Sequence, residues 1–459
     1  MKTKITLLLL FITFQINAQC WQSISSGIQH TLGIKTDGTL WAWGKNDTGQ
    51  LGMGDITIRT VPTQVGTASD WKFINSGYGS SFAIKTDGTL WAWGNNEFGK
   101  IGDGTQTNKL SPIQIGTDTN WVSVDSKNHT VAIKTDGTLW TWGVNSSGEM
   151  GDGTQSGSVY RLVPGQVGTE TDWKDANAGA NYTIALKANG TIWAWGHGSA
   201  GSLGNGGYGN SYVPVLSGFD EDWEKISTGN GHTLAIKTDG TLWAWGQRNY
   251  GQVGNGTYSA TTGINAPVQI GIAKGWANVS AGTSHSLAVK ENGTLWAWGN
   301  NSSRQLGDGT TVSYRSAPVQ IGTDTNWAQG FSRGQTSVVL KTDGSLSAWG
   351  FNGSGQLGDG SMTNRNAPVA IACPVTLSTE EFSAATFSVH PNPTTGLLNI
   401  NNKMNLSIDT VSIIDLTRKK VLEQKGGNTQ IDVQQLENGI YIMKITSEEK
   451  SYLGKFIKM

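Results

Sequence analysis

The sequence predicts an all-β protein in two parts: a closed ring of seven four-stranded blades over residues 20–373, then a small β-sandwich over residues 387–459. Three observations carry this. First, the string Asp-Gly-Thr-Leu-Trp-Ala-Trp-Gly, or a near copy, starts at Asp37, Asp87, Asp136, Asn189, Asp239, Asn292 and Asp343, at spacings of 50, 49, 53, 50, 53 and 51 residues. A period in this range marks one supersecondary unit repeated in a stack or ring. Second, 63 Gly and 20 Trp beside only 15% charged residues suit a turn-rich chain with much buried apolar surface. Third, every Trp lies inside the repeats, so the residues after Ala372 form a different unit. Basic and acidic side chains nearly cancel, at 33 and 34, which argues against a broad nucleic-acid or anionic-membrane footprint.

The N-terminus reads as a secretory signal peptide over residues 1–19. Lys2 and Lys4 form its basic region, Ile5 to Ile16 its apolar run, and Asn17-Ala18-Gln19 the cleavage site. The apolar run is too short to span a bilayer, and no other segment is a candidate span. A lipoprotein signal competes, because Cys20 follows directly; Gln19 is a poor residue before a lipidated Cys.

The copy from Trp71 to Gly116 shows one blade. Trp71 to Ser76 is a strand, Gly77 to Gly79 a turn, and Phe82 to Lys85 a second strand. Asp87-Gly88 signals a two-residue hairpin, and Thr89 to Trp93 is the third strand. A long polar connection leads to a fourth strand at Pro112 to Ile115. On the third strand Trp91 and Trp93 point one way and Leu90 and Ala92 the other. Bulky Trp on one face meeting Leu and Ala on the next blade gives complementary packing. Seven further Trp open the first strands, from Trp21 to Trp327, and only Ser347 replaces a third-strand Trp.

Seven such units suit a closed ring, which removes exposed sheet edges. Ile371-Ala372-Cys373 occupies the slot that Ile-Gly-Thr fills in other copies, and Cys20 stands just before Trp21. In a ring the two cysteines flank one junction, so a Cys20–Cys373 disulfide across the seam is expected. Closing a loop this long contributes about 4–5 kcal/mol in the chain-entropy account. The rival is a lipidated Cys20 with a free Cys373.

The units carry Gly27-x-x-His30-Thr31, then Asp37-Gly38-Thr39-Leu40-Trp41-Ala42-Trp43-Gly44, then Gly49-Gln50-Leu51-Gly52. In this they resemble the regulator-of-chromosome-condensation repeat. The resemblance covers Trp21 to about Ala372 and implies a seven-bladed β-propeller. Members of that family serve as protein-binding platforms, and no active-site residue is carried over, since fold does not fix function. After a linker at 374–386, the C-terminal segment carries His390-Pro391-Asn392-Pro393-Thr394-Thr395-Gly396, Leu436-x-x-Gly439-x-Tyr441 and Lys455-Phe456-Ile457-Lys458. It resembles the sorting domain of type IX secretion cargo of Bacteroidota. That resemblance implies a small β-sandwich, recognition by the secretion machinery and its sorting peptidase, and a destination outside the cell or on its outer surface.

Chemistry is sought where copies could converge or differ. His30, His129, His232 and His285 share one slot, filled elsewhere by Ser80, Tyr182 and Thr336. Four equivalent positions around a ring do not converge on one ion, so a polar turn residue bonding the backbone is expected. The Leu-Gly-Asp-Gly segments lack the carboxylate series of a calcium loop and read as turns. Lys35, Lys85, Lys134, Lys187, Lys237, Lys290 and Lys341 precede the hairpin tips and are expected to form a solvated ring, pairing with nearby Asp. No nucleophile, phosphate or zinc motif is present, so no metal and no cofactor is expected.

The copies differ most in the long third-to-fourth strand connection. It brings Phe98, Tyr160, Arg161, Tyr208, Tyr212, Arg248, Tyr250, Tyr258, Arg304, Tyr314, Arg315 and Phe351 toward one face. Tyr and Arg commonly anchor interfaces, and aromatics with Asn and Ser equally suit glycans. The sequence therefore points to a monomeric, exported, non-enzymatic binding protein with a protein or glycan partner on the long-loop face. The alternative is a polysaccharide-acting hydrolase or lyase using carboxylates in the ring.

Overall fold

The computed structural model describes residues 20–154, 160–374, 387–402, 405–415, 419–427, 429–447 and 450–459. The signal-peptide region and nearly all of the expected linker lie outside the described residues. The chain divides into two compact units at Cys373/Pro374.

The first unit holds seven four-stranded antiparallel sheets, each a simple meander. Blade 1 runs Trp21–Ser26, His30–Lys35, Leu40–Gly44 and Arg59–Gln64. The other six repeat this order, ending with Arg365–Ile371. Leu32, Leu40 and Ala42 of blade 1 pack against Trp71, Trp91 and Trp93 of blade 2, so bulky and small faces meet as the alternation predicts. The same cluster type recurs at the seam, where Trp21, Trp41 and Trp43 meet Val338, Leu346 and Ala348.

Indole N–H groups register one blade against the next. Trp93 Nε1 donates to the Gln50 carbonyl at 2.9 Å, Trp195 Nε1 to Glu149 at 2.8 Å and Trp349 Nε1 to Gln305 at 3.0 Å. The ring is closed because Trp43 Nε1 of the first blade donates to the Gln356 carbonyl of the last, at 3.0 Å. Cys20 and Cys373 form a disulfide across that junction, with Cα atoms 6.0 Å apart.

Three expectations change. The hairpin at Asp37-Gly38 has three connecting residues, not two. Gly38 N–H bonds to the Lys35 carbonyl at 2.9 Å, and Lys35 N–H to the Thr39 carbonyl at 3.0 Å. This is a turn closed by a glycine in the left-handed region, with Gly38 at φ 77°. Only glycine fits there, because an added Cβ would stand 2.0 Å from the Ser69 carbonyl oxygen of the junction loop. Asp37 caps the turn instead of adopting positive φ: its Oδ1 accepts from Thr39 N–H at 3.0 Å.

The lysine ring is not solvated. Lys134 lies 3.8 Å from the Trp140 ring and 4.6 Å from the Trp121 ring, while its ammonium meets Asp118 at 2.8 Å. Lys85, Lys187 and Lys237 repeat this clamp between two indoles with a carboxylate at the open end. Their stems are buried against tryptophan and only the ammonium reaches the edge. Lys341 has only Trp327, since Ser347 replaces its second ring.

The slot-sharing histidines bond the next blade, not the backbone turn. His30 Nε2 meets Ser81 Oγ at 2.9 Å, His129 meets Thr183 Oγ1 at 2.7 Å, His232 meets Ser286 Oγ at 3.1 Å and His285 meets Ser337 Oγ at 3.0 Å. Tyr182 does the same job with its hydroxyl, donating to the His232 carbonyl at 2.7 Å. Burial drives each imidazole down to a pKa of about 3, so all four are neutral fasteners.

The second unit stacks Phe387–His390, Leu397–Asn402 and Gln430–Asp432 as one sheet against Lys420–Lys425, Thr410–Ile414, Gly439–Ser447 and Lys450–Lys458 as another. Phe387, Leu398, Ile413, Met443 and Phe456 fill the space between.

Candidate functional site

The inner strands define a direction. Each starts with Trp at the hairpin-tip end and finishes at the Gly-x-x-His turn, which shares its face with the long loops. Those loops are wound around a buried Asn. Asn96 Nδ2 reaches Asp103 and the Thr105 carbonyl, and its Oδ1 accepts from Ile101 N–H at 3.0 Å. The Leu-Gly-Asp-Gly carboxylates are spent inside the same loops. Asp103 pairs with Lys109 at 2.8 Å, Asp308 with Arg315 at 3.0 Å and Asp359 with Arg365 at 2.7 Å. Among the described residues no group of His, Cys, Asp or Glu could hold a metal ion.

The structure places the sequence-predicted binding residues around this face in pairs rather than in one patch. Phe98 of blade 2 packs on Tyr160 of blade 3, with ring centres 5.4 Å apart. Tyr258 of blade 5 packs on Tyr314 of blade 6 at 5.2 Å. Tyr258 and Tyr208 are 60% and 53% exposed, and Tyr250 is exposed as well. Tyr208 hydroxyl reaches the Gly263 carbonyl at 3.4 Å. Other members are turned to their own loops: Arg161 pairs with Asp152, Arg315 with Asp308, and Arg248 donates to the Thr262 carbonyl at 3.0 Å. Tyr212 lies over Gly148 and Phe351 over Gly353. Arg304 takes the glycine slot of its loop at φ 70°, and Phe98 sits at φ 61° one place earlier in its own.

A cavity of about 370 Å³ opens between the loops of blades 1 and 2, bordered by Lys45, Asp47, Tyr78, Glu97 and Lys100. Lys100 stands where most blades have Gln. Its ammonium donates to the Tyr78 carbonyl at 2.7 Å, and burial lowers its pKa to about 8.

The axis holds residues that the sequence reading passed over. The inner turn starts with Gly27, Gly77, Gly179, Gly229 and Gly282 in five copies, and with Lys127 and Arg333 in two. That substitution was the available signal. Lys127, fully buried, crosses the ring and donates to the Thr228 and Gly229 carbonyls at 2.7 and 2.6 Å. Arg333 reaches across from blade 7 to Asp125 and the Ser126 carbonyl of blade 3. Tyr78 hydroxyl meets Asn230 from the opposite side. Together they plug the axis at the long-loop end. Asp125 is fully engaged: Asn75 Nδ2 donates to it at 2.7 Å and Ala178 N–H at 2.8 Å, besides Arg333.

On the hairpin-tip side of the plug lies a cavity of about 280 Å³ lined by all seven inner strands. Asp175 faces it with no cation paired to it among the described residues. Burial, with help from Asp125, lifts its pKa to about 6.

In the second unit Asn392, Gly439 and Tyr441 of the predicted sorting residues contact the last strand, Lys450–Lys458, which also carries Lys455 and Lys458. Asn392 Nδ2 donates to the Lys455 carbonyl at 3.1 Å, and its Oδ1 accepts from Ile457 N–H at 2.9 Å. Pro391 and Pro393 flank Asn392 in sequence. Val433 N–H bonds to the Gly396 carbonyl, Gly439 pairs with Lys458 across the strands, and Tyr441 stacks on Phe456. Lys455 is exposed and Lys458 is buried.

Comparison with known proteins agrees with both units. The model of the RCC1-like domain matches residues 125–390, more than half of the chain. Models of the regulator of chromosome condensation repeat match residues 21–50, 37–84, 71–100 and 87–133. The model of the secretion system C-terminal sorting domain matches residues 388–459. The mitochondrial RCC1 domain-containing protein RUG3 of Arabidopsis thaliana is 34% identical over 96 residues, 21% of this chain and 22% of that protein. The human E3 ubiquitin-protein ligase HERC2 is 28% identical over 202 residues, 43% of this chain and 4% of that protein. The chain thus spans a small part of these relatives. Among solved structures, Prp20p of Saccharomyces cerevisiae superposes with a TM-score of 0.65 at 17% identity, covering 81% of this chain and 90% of that one. Human WBSCR16 superposes with a TM-score of 0.65 at 20% identity, covering 73% and 94%. These likenesses show the fold. Among the described residues no helix is long and apolar enough to cross a membrane. The sorting domain implies secretion by the type IX route, and the chain belongs to the RCC1-like domain family, as a seven-bladed propeller with a type IX sorting domain at its C-terminal end.

Proposed function

We propose that the propeller is an exported, non-enzymatic interaction platform that engages a protein partner through its long-loop face, at the cell surface or in the medium. The observation that carries this is the aromatic set of exposed Phe98 with exposed Tyr160, and exposed Tyr258 on half-buried Tyr314, on loops that differ from blade to blade. Aromatic side chains supply large contact area at low entropic cost, which is why they anchor interfaces. Phe98 and Arg304 hold left-handed backbone conformations that cost energy and tend to persist where a side chain must be presented. A similar propeller, Prp20p, is described by its binding to Gsp1p and histones, an instance of such a ring working on protein partners.

The enzymatic reading draws on Asp175, whose raised pKa suits a general acid. Hydrolysis by two carboxylates also needs a free second one. Asp125 does not offer it, being bound by Arg333, Asn75 and the Ala178 amide. The test is affinity capture on the folded, exported chain with surface proteins as prey, beside a Tyr258→Ala/Tyr314→Ala variant. Saturable capture that the variant loses supports the platform. Capture that the variant retains refutes this choice of face.

A further inference from the structure

We propose that the axial cavity on the hairpin-tip side is a second binding site, and that its ligand is a single sugar ring, the terminal residue of a glycan.

The inner strands also differ from blade to blade at the positions that line the axial cavity. At the fifth position of these strands, blades 1, 5 and 6 carry Ser25, Ser227 and Ser280, while blades 2 to 4 carry Asn75, Asp125 and Asn177. At the third position Asp175 and Phe73 stand among polar neighbours. The planar polar groups therefore gather on one wall, and Phe73 and Phe331 add two aromatic rings to the same cavity.

The hydrogen-bonding capacity on that wall is not used up. Asn177 Nδ2 reaches Asp175 at 3.3 Å, and the Ala176 amide also bonds this carboxylate. These two leave most of the lone pairs of Asp175 open. The Asn177 carbonyl oxygen, the Ser123 hydroxyl and the Gln329 amide make no hydrogen bond within the described protein. Ser123 and Asn177 are half-buried and Gln329 is exposed, so these groups keep hydrogen-bonding capacity for water or for a ligand that enters the cavity. Their floor is rigid, because Asp125, Asn75 and Arg333 bond one another beneath them.

Three features select the ligand class. The volume, about 280 Å³, sits at the small end of ligand pockets and excludes a folded or helical partner. Arg333, Lys127 and Lys225 already surround the axis, so an ammonium ligand gains little from the lone carboxylate. A carboxylate, amides and hydroxyls beside phenyl rings match the alternating hydroxyl edge and C–H face of a pyranose. Solvent reaches this end of the axis: Gln22, Lys72, Val122, Lys174 and Glu224, one step nearer the tips than the third position, are all exposed.

The experiment is saturation-transfer NMR and calorimetry on the full exported chain, with the methyl glycosides of glucose, galactose, mannose and N-acetylglucosamine and with propylammonium as probes. At least one glycoside is expected to saturate with a Kd of roughly 0.1–10 mM, ordinary for one sugar ring. Asp175→Ala is expected to weaken it at least about tenfold. Ser227→Phe, which fills the cavity and leaves the carboxylate in place, abolishes it; both variants are checked for an unchanged fold by circular dichroism. Tyr258→Ala/Tyr314→Ala leaves it intact, which separates this site from the long-loop face. No glycoside binding, binding that survives Ser227→Phe, or saturable propylammonium binding in place of glycosides would each overturn the proposal.

Discussion

Acidification should destabilise this ring through its buried histidines. His30, His129, His232 and His285 are held neutral by burial, with pKa values near 3 against 6.5 for a free imidazole. As pH falls below 6.5 the unfolded chain takes up protons that the folded chain refuses. Stability from these groups is therefore complete above pH 6.5 and is lost progressively as pH falls toward 3. Asp175 works in the opposite sense, since its folded pKa of about 6 exceeds the unfolded 3.8, and its protonated form favours the native state. Each fully engaged group contributes about 1.4 kcal/mol per pH unit. Unfolded imidazoles are already about three-quarters protonated at pH 6, so the four supply roughly 5 kcal/mol between pH 6 and 5, and Asp175 offsets about 1. The expected loss over that one unit is about 4 kcal/mol. Guanidinium titration followed by tryptophan fluorescence measures it on the ring alone, because all 20 Trp lie there. His285→Gln, which keeps a hydrogen-bonding group beside Ser337, should reduce the slope by about a quarter. A change below about 1 kcal/mol between pH 6 and 5 would refute the reasoning, and so would a slope that the variant leaves unaltered.

Reducing the seam disulfide, or replacing both cysteines with Ser, releases a loop of 353 residues and should cost about 6 kcal/mol on the chain-entropy scale; thermal melting with and without reductant reads it, and coincident melts would count against the constraint. Arg333→Met strands the buried Asp125 and should cost about 3–5 kcal/mol, while adding Asp125→Asn should restore part of it; strictly additive losses in a double-mutant cycle would dismiss the cross-axis pair. Lys134→Met should cost about 1–2 kcal/mol and Lys341→Met about half of that, since one lysine has two indoles and the other one. Equal losses in denaturant titrations would mean that the indole clamp contributes little.

The blade count, the tryptophan faces and the seam pairing were legible because each repeats, or fails to repeat, at a fixed place in the period. The hairpin was misjudged by one residue, since Asp-Gly signals two turn geometries and only the junction loop over Gly38 selects between them. Lys134 and its equivalents looked solvated because charge normally is; the opposed register of first-strand and third-strand Trp, which makes the slot between them, belongs to the sheet and not to the sequence neighbours of the lysine. The histidines were expected to bond the backbone of their own turn, but their partners lie about fifty residues onward, in the next blade. The axial plug was visible as Lys127 and Arg333 in a glycine slot, yet where those side chains ended depended on the diameter of the ring. For the long loops, variability located the face. It did not separate exposed Tyr258 from Arg161, whose partner Asp152 lies in its own loop.

The seam disulfide also changes the connectivity of the protein. With Cys20 joined to Cys373, the backbone of the ring is a macrocycle, and the sorting unit is a tail attached outside it. Any cut beyond Cys373 leaves a body with no free end inside the propeller, so exopeptidases have nowhere to start. A single endoproteolytic nick in any long loop opens the macrocycle into a linear chain of unchanged composition and sheds no fragment. Two nicks are needed before a piece can leave, and after one nick a gel shows a break only with a shortened chain under reduction.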